Sequence, residues 1–109
     1  MESESAMLAL SALSQPTRVE VFRLLVRHEP DGRPAGEIAQ ALGVPANTLS
    51  SHLAVLARAG LVTSERRSRS IIYRADLEGL RTVILFLLKD CCGGRADICA
   101  PLLAELAPC

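Results

Sequence analysis

Residues 35–75 constrain the fold of this chain more tightly than any other stretch. Leu49, Leu53 and Leu56 recur at i, i+4 and i+7, which lines them along one face of an α-helix. Just before them, Ile38, Ala39 and Leu42 share a face of a shorter helix, from Ala35 to Leu42. Gly43 stands past its end, where a left-handed residue closes the last turn. Pro45 opens the next helix, which runs to Ala59 and is closed by Gly60. The pattern then changes. Val62, Ile71, Ile72 and Tyr73 favour strands, and the polar Arg66-Arg67-Ser68-Arg69-Ser70 between them predicts the turn of a hairpin.

The flanks read as helices. Met7, Leu8, Leu10 and Leu13 mark a first helix over residues 3–13. Pro16 suits the first turn of a second, where its missing N–H costs nothing, and Val19, Phe22, Leu25 and Val26 continue it at helical spacing. Residues 28–34 are rich in breakers and predict a loop. Asp76 is a good N-cap for a long helix reaching Cys92, ended by Gly93-Gly94. Its middle, Val83 to Leu88, is apolar all round and calls for burial on most sides, here against a second subunit. Pro101 predicts the start of a last short helix, Leu102 to Leu106.

The chain has 109 residues, enough for one domain with one core. Half of it is apolar, but its only aromatics are Phe22, Tyr73 and Phe86. Leu, Ala and Val must therefore fill the core, which favours packed helices. No internal repeat, low-complexity stretch or linker divides residues 1–109. Dimerisation would add buried area to so short a helical chain.

Twelve basic and twelve acidic side chains balance to zero net charge. The distribution matters more. Arg58, Arg66, Arg67, Arg69 and Arg74 are opposed only by Glu65, a local charge of +4 over residues 58–74. Such a patch can carry phosphate contacts on a neutral chain.

Helix, glycine-containing turn, helix and basic hairpin follow one another in winged-helix order. Here the sequence resembles the ArsR/SmtB family of metal-responsive repressors. The resemblance rests on Leu13-Ser14-Gln15-Pro16-Thr17-Arg18, on Glu37 to Val44, on Asn47 to Leu56 and on Ala59-Gly60-Leu61-Val62, and it covers nearly the whole chain. It implies a mainly α, homodimeric winged helix-turn-helix with a small β-hairpin, paired through the N-terminal helix and residues 76–92. The residues agree. With the leucine stripe turned inward, Asn47, Thr48, Ser50, Ser51 and His52 lie on the outer or leading face, and recognition helices read base edges mainly near their N-terminus. Asn47 suits adenine, while Ser50 and Ser51 serve bases or phosphates. For His52, a half-buried ring holding a backbone group competes with a phosphate contact. Arg66, Arg67 and Arg69 suit the DNA backbone or minor groove, against a merely solvated hairpin tip or a protein-docking role. Arg58 belongs to the helix end, where it favours the dipole.

All four cysteines, Cys91, Cys92, Cys99 and Cys109, fall in the last 19 residues. Adjacent residues on a helix point about 100° apart, so Cys91 and Cys92 need a third sulfur folded back to complete a site. Gly93 and Gly94 permit the reversal, and Cys99 is near enough to return. Three thiolates suit trigonal As(III) or Sb(III), whereas zinc wants a fourth ligand, from Cys109 or water. Lys89 and Arg95 nearby would favour the thiolates. The family's arsenic sensors often carry a Cys-x-Cys site on the helix before the recognition helix, and residues 35–45 hold no cysteine. Its zinc sensors typically use His and carboxylate pairs on the last long helix, and no histidine follows His52. The resemblance therefore implies the branch with a C-terminal vicinal pair plus a third cysteine, giving Cys91, Cys92 and Cys99 as ligands, with no counterpart for Cys109.

The expected function is an As(III)-responsive repressor, released from operator DNA when the three cysteines take the metalloid. Thiol redox or persulfide sensing, zinc or cadmium sensing, and inert cysteines are the competing readings. An enzyme is not expected, because neither a glycine-rich anion loop nor a histidine beside the thiols is present. The acidic start, Met1-Glu2-Ser3-Glu4-Ser5, is unlike a secretory signal. The longest strongly apolar run, Val83 to Leu88, falls far short of the roughly 20 residues that span a bilayer. A cytoplasmic location with reduced thiols is expected.

Overall fold

The computed structural model describes residues 2–90 and 96–106. Helices α1 (Ser3–Ala12) and α2 (Pro16–Arg27) lead into a short strand β1 (Arg33–Pro34), then α3 (Ala35–Leu42) and α4 (Ala46–Arg58). The hairpin β2 (Val62–Arg67) and β3 (Ser70–Ala75) follows, then α5 (Leu77–Leu85), a π-helical turn Phe86–Asp90, and α6 (Ala96–Leu106). The architecture is the expected one: mostly helical, with a small antiparallel sheet that has a third strand. Its order is β1-β3-β2.

Local chemistry sets the helix ends. The Gln15 side chain accepts from the Arg18 backbone N–H at 2.9 Å and caps α2, with Pro16 in its first turn. Gly43 (φ +66) and Gly60 (φ +77) turn left-handed where α3 and α4 stop, a conformation that costs glycine little. Asp76 caps α5 by accepting from the Gly79 N–H at 3.1 Å.

The core is a single cluster. Val21, Phe22, Leu24 and Leu25 of α2 meet Ile38 of α3, Leu49, Leu53 and Leu56 of α4, and Leu61, Val62, Ala75 and Val83 beyond. Each large aliphatic side chain buried in this way contributes about 1.5–3 kcal/mol. The reading face is therefore anchored from beneath by the leucine stripe of α4.

Several expectations are corrected. In α1 the buried face is Ala6, Ala9 and Ala12, while Met7 and Leu8 are each 51% exposed. Small residues allow the close approach to the domain, Leu10 packs against the core beside them, and Met7 and Leu8 are left outside. The segment 28–34 is not all loop, because Arg33 and Pro34 pair with Tyr73 and Ile72 of β3. The hairpin strands extend to Arg67 and from Ser70, leaving only Ser68-Arg69 as the turn, with Ser68 at φ +58. The long helix is α-helical only to Leu85, and its continuation is the π turn. Within the single chain only Val83 of its apolar middle is buried, and Ile84, Leu85 and Leu87 are exposed, on the helix expected to meet a second subunit. Pro101 lies inside α6 and does not begin it.

Candidate nucleic-acid interface

The two helices α3 and α4 join through a tight turn, residues 43–45, and α4 carries the predicted reading face. Asn47, Thr48, Ser50 and Ser51 are all exposed. The face is made of short polar side chains, so a groove wall can approach the helix closely. Ser51 Oγ donates to the Asn47 carbonyl at 3.3 Å, which ties its hydroxyl to the helix until a better acceptor arrives.

His52 is half-buried on the flank of α4. Its Nδ1 lies 3.4 Å from Nη1 of Arg18, whose Nε donates to the Ala12 carbonyl at 2.6 Å. The ring is thus held by a side chain from α2, and not by a backbone group as one sequence reading supposed.

The hairpin projects a second set of cations. Arg66, Arg67 and Arg69 are exposed around the turn. Arg67 Nε donates to Glu65 Oε1 at 3.3 Å. Successive strand residues alternate faces, so Arg66 and Arg67 stand on opposite sides, with Arg69 at the tip.

Arg74 is the cation whose role the sequence did not disclose. Its Nε and Nη2 clasp the two carboxylate oxygens of Glu29 at 3.1 and 2.8 Å. The Arg74 hydrogen bond and charge hold the Glu29 carboxyl below the usual carboxylate range, against an opposing desolvation. Beside this pair Gly32 lies so close to β3 that a Cβ would collide with the Tyr73 carbonyl and the Ile72 and Arg74 side chains. Arg74 therefore fastens the loop before α3 to the hairpin, and the basic patch available to a ligand is smaller than the sequence sum. Residues 45 positions apart give no periodic or motif signal of such a pair.

Cys91, Cys92 and Cys109 lie outside the described residues, and Cys99 belongs to the backbone of α6. Among the described residues no group of three His, Cys, Asp or Glu side chains comes together to hold a metal ion. No helix among them is long and apolar enough to cross a membrane.

Comparison with known proteins accords with this geometry. Residues 13–65 match the family described as "Helix-turn-helix domain". The chain is 31% identical over 90 residues to the HTH-type transcriptional regulator YgaV of Escherichia coli K12, covering 83% of this chain and 89% of that protein. It superposes with a TM-score of 0.71 on an ArsR-like transcriptional regulator from Rhodococcus sp. RHA1, at 28% identity and over 95% of this chain and 93% of that one. It also superposes, with a TM-score of 0.66 and 26% identity over 76% of this chain and 75% of that one, on a homodimeric winged helix-turn-helix DNA-binding domain from Mycobacterium bovis. With an exposed polar recognition helix, a cationic wing and relatives of this kind, the chain belongs to the ArsR/SmtB family of winged helix-turn-helix transcriptional regulators.

Proposed function

We propose that the chain is an As(III)-responsive repressor that grips operator DNA as a homodimer and releases it when trivalent arsenic, or antimony, is taken up by Cys91, Cys92 and Cys99. The observation that carries the DNA half is the pairing of two features on one scaffold. The first is the exposed polar face of α4, Asn47, Thr48, Ser50 and Ser51 with His52 on its flank. The second is the set of exposed guanidinium groups of Arg66, Arg67 and Arg69 on the wing. The helix supplies base-edge donors and acceptors, and the wing supplies phosphate contacts.

The dimer half is supported by apolar surface left outside the core. Met7 and Leu8 on α1, and Ile84, Leu85 and Leu87 on α5 and the π turn, are large and exposed. Two copies sharing these helices would bury that surface and carry two recognition helices to half-sites about one DNA turn apart.

The sensor half rests on donor chemistry. Three thiolates are soft, anionic and few enough for a trigonal metalloid, and the reducing cytoplasm in which we place the protein keeps them available. Their binding form is deprotonated, so uptake releases protons. The route to the reading head starts at α5. A Cβ at Gly79 would overlap the carbonyl oxygen of Gly60, so α5 sits directly on the turn that ends α4. Reordering of the cysteine segment beyond the π turn would pull on this seat. A coupling of about 1–3 kcal/mol is typical of such linkage.

The test is fluorescence anisotropy of reduced protein on duplex DNA from upstream of its own gene, titrated with arsenite, zinc or an oxidant. Release by near-stoichiometric arsenite, lost in Cys91→Ser and Cys99→Ser while DNA binding persists, is the expected result. Release by zinc or oxidant alone would transfer the sensor to metal or thiol-redox chemistry. Absence of duplex binding would overturn the repressor reading.

A further inference from the structure

We propose that Arg18 is a positioning residue of the reading head. Through its contact with Nδ1 it favours the His52 tautomer with the proton on Nε2 and turns that ring into a directed donor for a backbone phosphate. The inference rests on the DNA-binding reading above and names how one flank of α4 is used.

A guanidinium has donors and no acceptor. The contact from Arg18 Nη1 to His52 Nδ1, 3.4 Å long, therefore requires a lone pair on Nδ1. A neutral imidazole has one proton, so it must sit on Nε2. Arg18 is itself fixed. Its Nε donates to the Ala12 carbonyl at 2.6 Å, and its backbone N–H donates to the capping oxygen of Gln15. The end of α1, the start of α2 and the flank of α4 are thereby joined through one half-buried side chain.

His52 stands in the second turn of α4, past the residues that lead into a groove, and Arg18 of α2 adjoins it on that flank. The residues ahead of it meet base edges, and a flank residue meets the groove wall, which is phosphate. There a ring with Nε2–H offers a donor to a phosphate oxygen, and the guanidinium behind it adds favourable charge.

Two measurements test this. The first needs no DNA: a long-range 1H–15N spectrum of the histidine rings, with His28, the other histidine of the chain, as internal control. Native His52 is expected with its proton on Nε2 alone, and Arg18→Met is expected to mix the tautomers. A proton on Nδ1 in the native protein, or a spectrum unchanged by Arg18→Met, would overturn the contact. The second is operator affinity. His52→Gln places an amide nitrogen where Nε2 was, whereas His52→Asn is too short. His52→Gln is expected to bind nearly as the native protein does, and His52→Asn to lose about tenfold per half-site, the loss of one hydrogen bond to a charged group. Arg18→Lys keeps the cation and loses the fork. It is expected to lose about tenfold as well, with no further loss when combined with His52→Asn, as coupled residues behave. Equal losses in His52→Gln and His52→Asn, or single losses that multiply to about a hundredfold, would overturn the proposal while leaving the repressor reading intact. Failure of the native protein to bind any duplex would instead sink that reading, and the phosphate role with it.

Discussion

Removing two wing cations should change the salt dependence of DNA binding by an amount the structure sets in advance. The perturbation is Arg66→Ala with Arg69→Ala. Arg67 is left in place because it is already engaged by Glu65 at 3.3 Å on the other face of the hairpin. Each wing then loses two unengaged guanidinium groups, and a dimer with both wings on the duplex loses four. Each phosphate contact on B-DNA contributes about 0.9 to the slope of log K against log salt, so the slope should become shallower by about 3.6. Extrapolated over a fourfold rise in salt, that difference amounts to a factor of about 150 in how steeply affinity falls. The assay is operator binding by anisotropy across a salt series, with native and variant proteins on the same duplex. An unchanged slope would refute the assignment of these arginines to phosphates and leave them as a solvated tip. A loss of affinity at unchanged slope, confined to particular base pairs, would place them on base edges.

Other perturbations probe the scaffold. Gly79→Ala is expected to destabilise the domain by about 1–3 kcal/mol, the usual cost of overpacking, because its Cβ would overlap the Gly60 carbonyl. Gly36→Ala, where nothing lies within 4 Å of the new methyl, should be neutral or gain up to about 1 kcal/mol, and equal melting temperatures for the two variants would contradict the packing described. The depressed Glu29 carboxyl makes its ion pair a source of stability that is fully present above the unfolded carboxylate range and is lost as the pH falls through the lower folded value. Melting temperatures of native and Glu29→Gln protein should therefore differ near neutral pH and converge on acidification; parallel curves would show that Arg74 does not hold the carboxylate. Leu8→Lys should yield a monomer by sedimentation with its helical circular dichroism kept, and an intact dimer would move the interface away from α1.

The helix-turn-helix was legible because its signals are local. Leu49, Leu53 and Leu56 are buried as their spacing required, and α3 spans Ala35–Leu42 as its periodicity indicated. Elsewhere tertiary partners decided. Of the large apolar residues that marked the first helix, Leu10 and Leu13 pack against the core, while Met7 and Leu8 stay outside and the alanines make the closest contact, because helix backbones approach most closely over small side chains. β1 escaped notice because two residues, one a proline, carry no alternation, and its partner strand is remote in sequence. Pro101 resembled a helix start, but Ala100, Leu102, Leu103 and Ala104 around it are strong helix formers that carry α6 across it. At the candidate site, Asn47, Thr48, Ser50 and Ser51 were visible from the inward leucine stripe alone. The Arg18–His52 and Arg74–Glu29 contacts join residues 34 and 45 positions apart, and a sum of charges cannot reveal such pairs.

The wing is braced at its base. Its inner strand β3 is flanked by β2 and by β1 just ahead of α3, Gly32 rests against it, and Arg74 grips Glu29 across it. Those ties join the base of the wing to the segment that opens α3, so an inducer acting as proposed would leave one copy's hold on its own half of the operator largely intact. What it can spoil is the simultaneous fit of both halves, and with it the bivalent gain, commonly about 100- to 10,000-fold over a single engagement. The induced protein would then be a weak monovalent binder and not a non-binder. On a duplex carrying one isolated half-site, inducer would make no difference to affinity.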